Sequence, residues 1–95
     1  MPVTLPIHYP SCNHRQRRAA RLEYVLKQQN KCLYCKGALS EDPPKVVTER
    51  ALNMRLFPQG FLQYPIHLHH CHKTGMSLGA VHAYCNGVLF QYHGE

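Results

Sequence analysis

Between Asn13 and Asn30 the apolar side chains recur at three- and four-residue spacing, as Ala19, Leu22, Val25 and Leu26, with Gln29 on the same side. That period belongs to an α-helix with one apolar face. It predicts a helix over about residues 13–30, capped by Ser11 or Asn13. Ahead of it, Pro2, Pro6 and Pro10 predict an irregular stretch over residues 1–12. Behind it, KCLYCKGAL (31–39) predicts a tight Cys-x-x-Cys turn, and SEDPP (40–44) a loop. Residues 45–57 give mixed signals: VVT favours strand, whereas ERALNMRLF suits a helix or a longer strand. PQG at 58–60 is a turn signal. FLQYPIHLHH (61–70) reads as a strand, supported by the alternation Ile66-His67-Leu68-His69. KTG (73–75) turns the chain, and residues 76–82 return as a second strand to close a hairpin. A short helix is expected from about Tyr84 to Tyr92, with Val88, Leu89 and Tyr92 on one side. With no repeat and no long linker, the pattern describes one small α+β domain. Residues 1–30 form an arm and a basic helix, and residues 31–95 form the core, with an insertion at about 45–60.

Composition adds a constraint. The chain has 95 residues, 44% of them apolar, with seven Pro and no Trp. So short a chain is near the lower limit for a self-sufficient hydrophobic core, and a structural metal would help it fold. Five Cys is an odd number, which excludes a complete disulfide framework within one chain. MPVTLPIHYP has no basic start followed by an apolar run, so no signal peptide is expected. No stretch approaches the roughly 18–20 apolar residues of a membrane span. A soluble, cytoplasmic protein is expected, whose cysteines are metal ligands or free thiols.

Charge narrows the partner. Eleven Lys and Arg against five acids give +6, which favours a polyanion, nucleic acid before a membrane surface. Arg15, Arg17, Arg18 and Arg21 crowd the first turns of the expected helix. Cations there oppose the helix dipole by about 0.3–1 kcal/mol each. Phosphate contact is the functional reading of that cluster, and a solvated basic face is the bland one. The acids, Glu23, Glu41, Asp42, Glu49 and Glu95, are scattered. Paired-carboxylate hydrolysis and acidic two-metal sites are therefore poorly supported, and catalysis would run on His and Asn.

Residues 67–86, HLHHCHKTGMSLGAVHAYCN, concentrate five His, two Cys and an Asn. Cys32-x-x-Cys35 and His82-x-x-Cys85 are two pairs at knuckle spacing. Each pair can direct two donors at one tetrahedral metal, and together they complete the shell of a structural zinc. Cys71 or His72 in place of His82 is the competing assignment, and Cys12 is read as a free thiol. His69, His70, His72 and Asn86 then remain for chemistry. His93, seven residues and about 10 Å of helix beyond Asn86, is read as a surface residue. His67 is read as structural or as supporting His69.

The stretch from Leu68 to Leu89 resembles the ββα-metal (HNH, or His-Me finger) nucleases, most closely the phage recombination endonuclease VII branch. The parts that carry the resemblance are Cys32/Cys35, His69-His70-Cys71-His72, Thr74-Gly75, Gly79, His82/Cys85 and Asn86. It implies a zinc-stabilised ββα-metal fold and a DNA endonuclease. His70 resembles the general base, while His69 and Asn86 occupy the positions that hold a catalytic divalent ion (Mg²⁺, Mn²⁺ or a transition metal). His72 is expected near the scissile phosphate, and Arg15, Arg17, Arg18, Arg21 and Lys73 on backbone phosphates. Where the branch usually has an acid this chain has His69, as in the His-His pairs of colicin-type relatives. Residues 45–60 are longer than the endonuclease VII pattern expects and are the place for target choice. Duplex or branched DNA is the expected partner, with a homodimer left open and no membrane. The alternative is a non-catalytic zinc module that binds nucleic acid or protein.

Overall fold

The computed structural model describes residues 4–94; Pro2, expected in the irregular start, and Glu95 lie outside them. Helix α1 runs from His14 to Lys27. Asn13 caps it reciprocally: its side chain accepts from Gln16 N at 2.9 Å, and Gln16 Oε1 accepts from Asn13 N at 2.8 Å. The helix stops where Gln29 and Asn30 take left-handed φ values of 55° and 61°, a conformation that ends a right-handed helix.

The face that α1 buries shares Val25, which packs against the core, with the one its apolar spacing predicts, but otherwise differs. Leu22 and Leu26 are 54% and 73% exposed, while Ala20 is fully buried and Arg17, Tyr24 and Gln28 are half-buried. Polar anchors choose this face. Gln28 Nε2 donates to Ala80 O at 2.9 Å, and Gln28 Oε1 accepts from Ala80 N at 2.8 Å. Tyr24 Oη lies 2.8 Å from Ser77 Oγ. Ala20 is small enough to let the helix approach, and a Cβ on Gly79 would come within 2.8 Å of Gln28 and Leu33 side-chain atoms.

After the Cys32–Cys35 turn, Pro44 begins a single-turn helix, α2, Lys45–Thr48. The VVT expected as strand is thus helical, because Pro44 supplies a helix-starting φ of −64° and Val47 gains a place in the core. A 3₁₀ turn follows at Met54–Leu56. The strand expected over residues 61–70 is shorter. Strand β1 spans only Ile66–His70, since Pro65 has no N–H for a ladder and Phe61 and Gln63 bond back to Pro58 and Gly60.

Strand β2, Ser77–His82, pairs antiparallel with β1 across the turn at Gly75. Ile66 faces His82 and His69 faces Gly79, but His70 faces Ser77, so Leu78 is an extra residue. Such a bulge sharpens the local twist at the His69-His70 pair. The arm joins this end of the sheet: Ser77 N donates to Ile7 O and Tyr9 N to Gly75 O, both at 2.8 Å. Helix α3, Ala83–His93, leaves β2 without a loop and ends at left-handed Gly94. Cys32, Leu39, Val47, Ala80, Val81, Cys85, Val88 and Leu89 form the core between these elements. The result is a small α+β fold with a two-stranded sheet. No helix among the described residues is long and apolar enough to cross a membrane.

Candidate metal centre and the adjoining histidine cavity

The knuckle after α1 and the junction between β2 and α3 meet in the core. There the donor atoms of Cys32, Cys35, His82 and Cys85 lie within 4.8 Å of one another. The imidazole is oriented from behind: His82 Nε2 stands 2.9 Å from both Ala38 O and Glu41 O. Two carbonyls can only accept, so Nε2 carries the proton and Nδ1 turns its lone pair toward the sulfurs. Nδ1 lies 3.4 Å from Cys35 Sγ and 3.6 Å from Cys85 Sγ. Tetrahedral zinc, with bonds of about 2.0–2.3 Å, requires a sulfur–nitrogen separation near ~3.6 Å. The four residues fit that ion. Cys71 and His72, the competing ligands, are outside the cluster.

Protonation supports the fit. A hydrogen bond from Cys85 pulls the Cys32 thiol down to about 4, while donating that bond, together with burial, pushes Cys85 far up. Burial also raises Cys35. Burial and the neighbouring thiols thus work against ionising Cys35 and Cys85 beside Cys32, and a bound dication would offset that. These residues can hold a structural metal such as zinc.

Next to the cluster, with Asn86 and Phe90 of α3 in its wall, a cavity of about 940 Å³ opens between α1, β1 and the loop before β1. Arg17, Arg18 and Arg21 line it from α1. Strand β1 contributes His67, His69 and His70; Asn86, next to Cys85 on α3, and His72 complete the polar set. Arg15 and Lys73 are exposed and do not line it. Arg17 is committed locally: its Nε and Nη2 donate to Tyr9 O at 3.0 and 2.9 Å, and its guanidinium sits 3.9 Å over the Tyr9 ring.

Asn86 joins two histidines of one strand face. Its Nδ2 donates to His67 Nδ1 at 3.2 Å, and its Oδ1 lies 3.3 Å from Nδ1 of buried His69. The latter distance is at the long end for an N–H···O bond. His67 is kept neutral by burial, with the Arg21 charge acting the same way, as its acceptor role requires. His70 stacks flat on Tyr9, centroids 4.0 Å apart at 7°, and lies 5.0 Å from His72. Its Nδ1 is buried without a hydrogen-bond partner. Burial first, then the charges of His72, His69 and Arg17, hold its pKa below 6.5.

The sequence missed Tyr9, whose aromatic ring gave no periodic signal in a Pro-rich arm. It also missed the cavity wall around Phe57 and Phe61: Phe57 lies in the insertion at 45–60, and Phe61 opens the stretch read as strand. His93 stands away from the cavity, 3.0 Å from Tyr34 Oη, and Cys12 and Cys71 are half-buried free thiols. No protein-family model, curated protein or solved structure matches this chain.

Proposed function

We propose that this chain is a metal-dependent DNA endonuclease of the ββα-metal (HNH) class. The observation that carries the reading is Asn86 Oδ1 standing 3.3 Å from His69 Nδ1 in a cavity that also takes His70 and three arginines. A simple zinc module has no use for that set. The hairpin that runs directly into α3, with Cys85-Asn86 in its first turns, supports the ββα reading.

His69 and Asn86 are the residues to hold a divalent ion, which when bound supplies charge stabilisation at the phosphate and the leaving 3′ oxygen. His70 takes the proton of the attacking water. Its lowered pKa keeps it neutral, and so competent as a base, at neutral pH. Arg18 and Arg21 bind backbone phosphates without regard to sequence. In this reading His72, its ring 5.0 Å from that of His70, serves the same phosphate. Hydrolysis leaves a 5′ phosphate and a 3′ hydroxyl.

Plasmid nicking tests this. Zinc-loaded protein is incubated with supercoiled DNA and Mg²⁺, Mn²⁺ or Ni²⁺, beside chelator and His70→Ala controls. Metal-dependent nicking that disappears in His70→Ala is expected. Folded protein that nicks neither plasmid nor branched DNA with any of these ions overturns the nuclease reading and leaves a zinc-stabilised binding module.

A further inference from the structure

Six rings run in contact around the cavity and tie the insertion to the histidine pair. Phe61 stacks on Phe57 at 4.5 Å, and Phe57 meets Phe90 edge-on at 5.8 Å. Phe90 lies 5.9 Å from His72, which lies 5.0 Å from His70, itself stacked on Tyr9. All six line the cavity, as does Tyr64. Phe90 is 42% exposed and Tyr64 69% exposed. Folding therefore leaves aromatic surface in water beside a row of arginines.

That pairing selects among nucleic acids. A continuous duplex offers phosphates to the guanidinium groups, but its base faces are covered by its own stacking. A strand with unpaired bases offers both phosphates and open π faces, and aromatic side chains bind those faces with little regard to sequence. At about 940 Å³ the cavity is near the top of the roughly 300–1,000 Å³ range of small-molecule sites. It has room for a base together with flanking phosphate.

We infer that the wall formed by Phe57, Phe61, Tyr64 and Phe90 stacks an unpaired DNA base, so that the chain selects single-stranded or frayed DNA over continuous duplex. The choice of DNA rests on the nuclease reading; the stacking does not. Target choice then lies in the segment between α2 and β1, which carries Phe57, Phe61 and Tyr64, together with Phe90 of α3.

The test is fluorescence anisotropy on the zinc-loaded full chain with no added divalent ion, so that nothing is cut. The probes are a short labelled DNA strand, the same strand in a duplex, and its RNA counterpart. The strand is expected to bind about tenfold tighter than the duplex. Phe90→Ala and Tyr64→Ala should each weaken strand binding about tenfold and duplex binding less than about twofold. Equal affinity for strand and duplex, or variants that lose both in proportion, overturns the inference. Tighter binding of RNA than of DNA overturns the choice of DNA. If Phe90→Ala melts early, the largely exposed Tyr64 carries the test alone. Nicking without strand preference sinks this inference only, and strand preference without nicking sinks the nuclease reading only.

Discussion

The amide nitrogen of Asn86 lies 3.2 Å from Nδ1 of His67, and this contact decides which way the amide faces. An amide nitrogen can only donate, so His67 accepts, and the amide oxygen is left directed at His69. His67 thus orients the Asn86 amide, and in the proposed nuclease it would act through Asn86 as a positioning residue.

Replacing His67 should therefore disturb chemistry more than folding. His67→Ala is expected to lower the single-turnover nicking rate roughly 10–100-fold, the usual cost of losing a partner that orients a metal ligand. His67→Gln can still accept from the amide and should recover part of the rate. Equal rates for both variants and the native chain would remove His67 from the mechanism.

The pH dependence of nicking reports on His70. A base works in its neutral form, so activity falls on the acid side as the imidazole protonates. Burial and the neighbouring positive groups hold its pKa below 6.5, and a bound cation acts in the same direction. The acid limb should have its midpoint below 6.5, and the rate at that pH should exceed half its plateau. A midpoint above it would contradict this assignment.

Stability should depend on the metal and, through it, on pH. Apparent binding energies of structural zinc in small domains, about 10–16 kcal/mol, match or exceed the 5–15 kcal/mol typical of a whole domain's stability. A strong chelator should unfold the chain at neutral pH, seen as loss of helical circular dichroism. Cys32, at about 4, is already a thiolate at neutral pH, whereas Cys35 and Cys85, raised by burial and by their neighbours, must lose protons to bind. The loaded form thus carries fewer protons, and raising the pH favours it. Zinc content after dialysis should fall as the pH is lowered.

The face of α1 can be tested by a pair of substitutions. Gln28→Ala removes two hydrogen bonds to buried Ala80, whose carbonyl keeps the one from Leu33 N, and should cost about 1–3 kcal/mol in urea unfolding. Leu26→Ala, at a position 73% exposed, should change stability by less than about 0.5 kcal/mol. The reverse order would restore the face suggested by apolar spacing.

The arginines of α1 divide by role. Arg18→Gln and Arg21→Gln should each reduce the salt dependence of DNA binding by about one counterion. Arg15→Gln, outside the cavity, should leave it nearly unchanged. Arg17→Gln should lower the melting temperature, because it releases Tyr9.

The cysteine and histidine spacing pointed to Cys32, Cys35, His82 and Cys85, with Cys71 or His72 open in place of His82, and the fold gathers the first four. Two donors separated by two residues must converge on one side of a turn, a restraint local to the chain. The hairpin around Gly75, the helix begun at Asn13 and the run of α3 were legible for the same reason, since each follows from a few adjacent residues. The buried face of α1, the short β1 and the cavity wall were not. Gln28 reaches Ala80 and Tyr9 reaches His70 across 52 and 61 residues of chain. Apolar spacing shows which side of a helix can be buried, but a polar side chain that finds a backbone partner can outweigh it. Such a partner exists only once distant segments have packed. Tertiary structure alone therefore decided that Tyr9, the arginines and the aromatic insertion share one cavity with His69, His70 and Asn86.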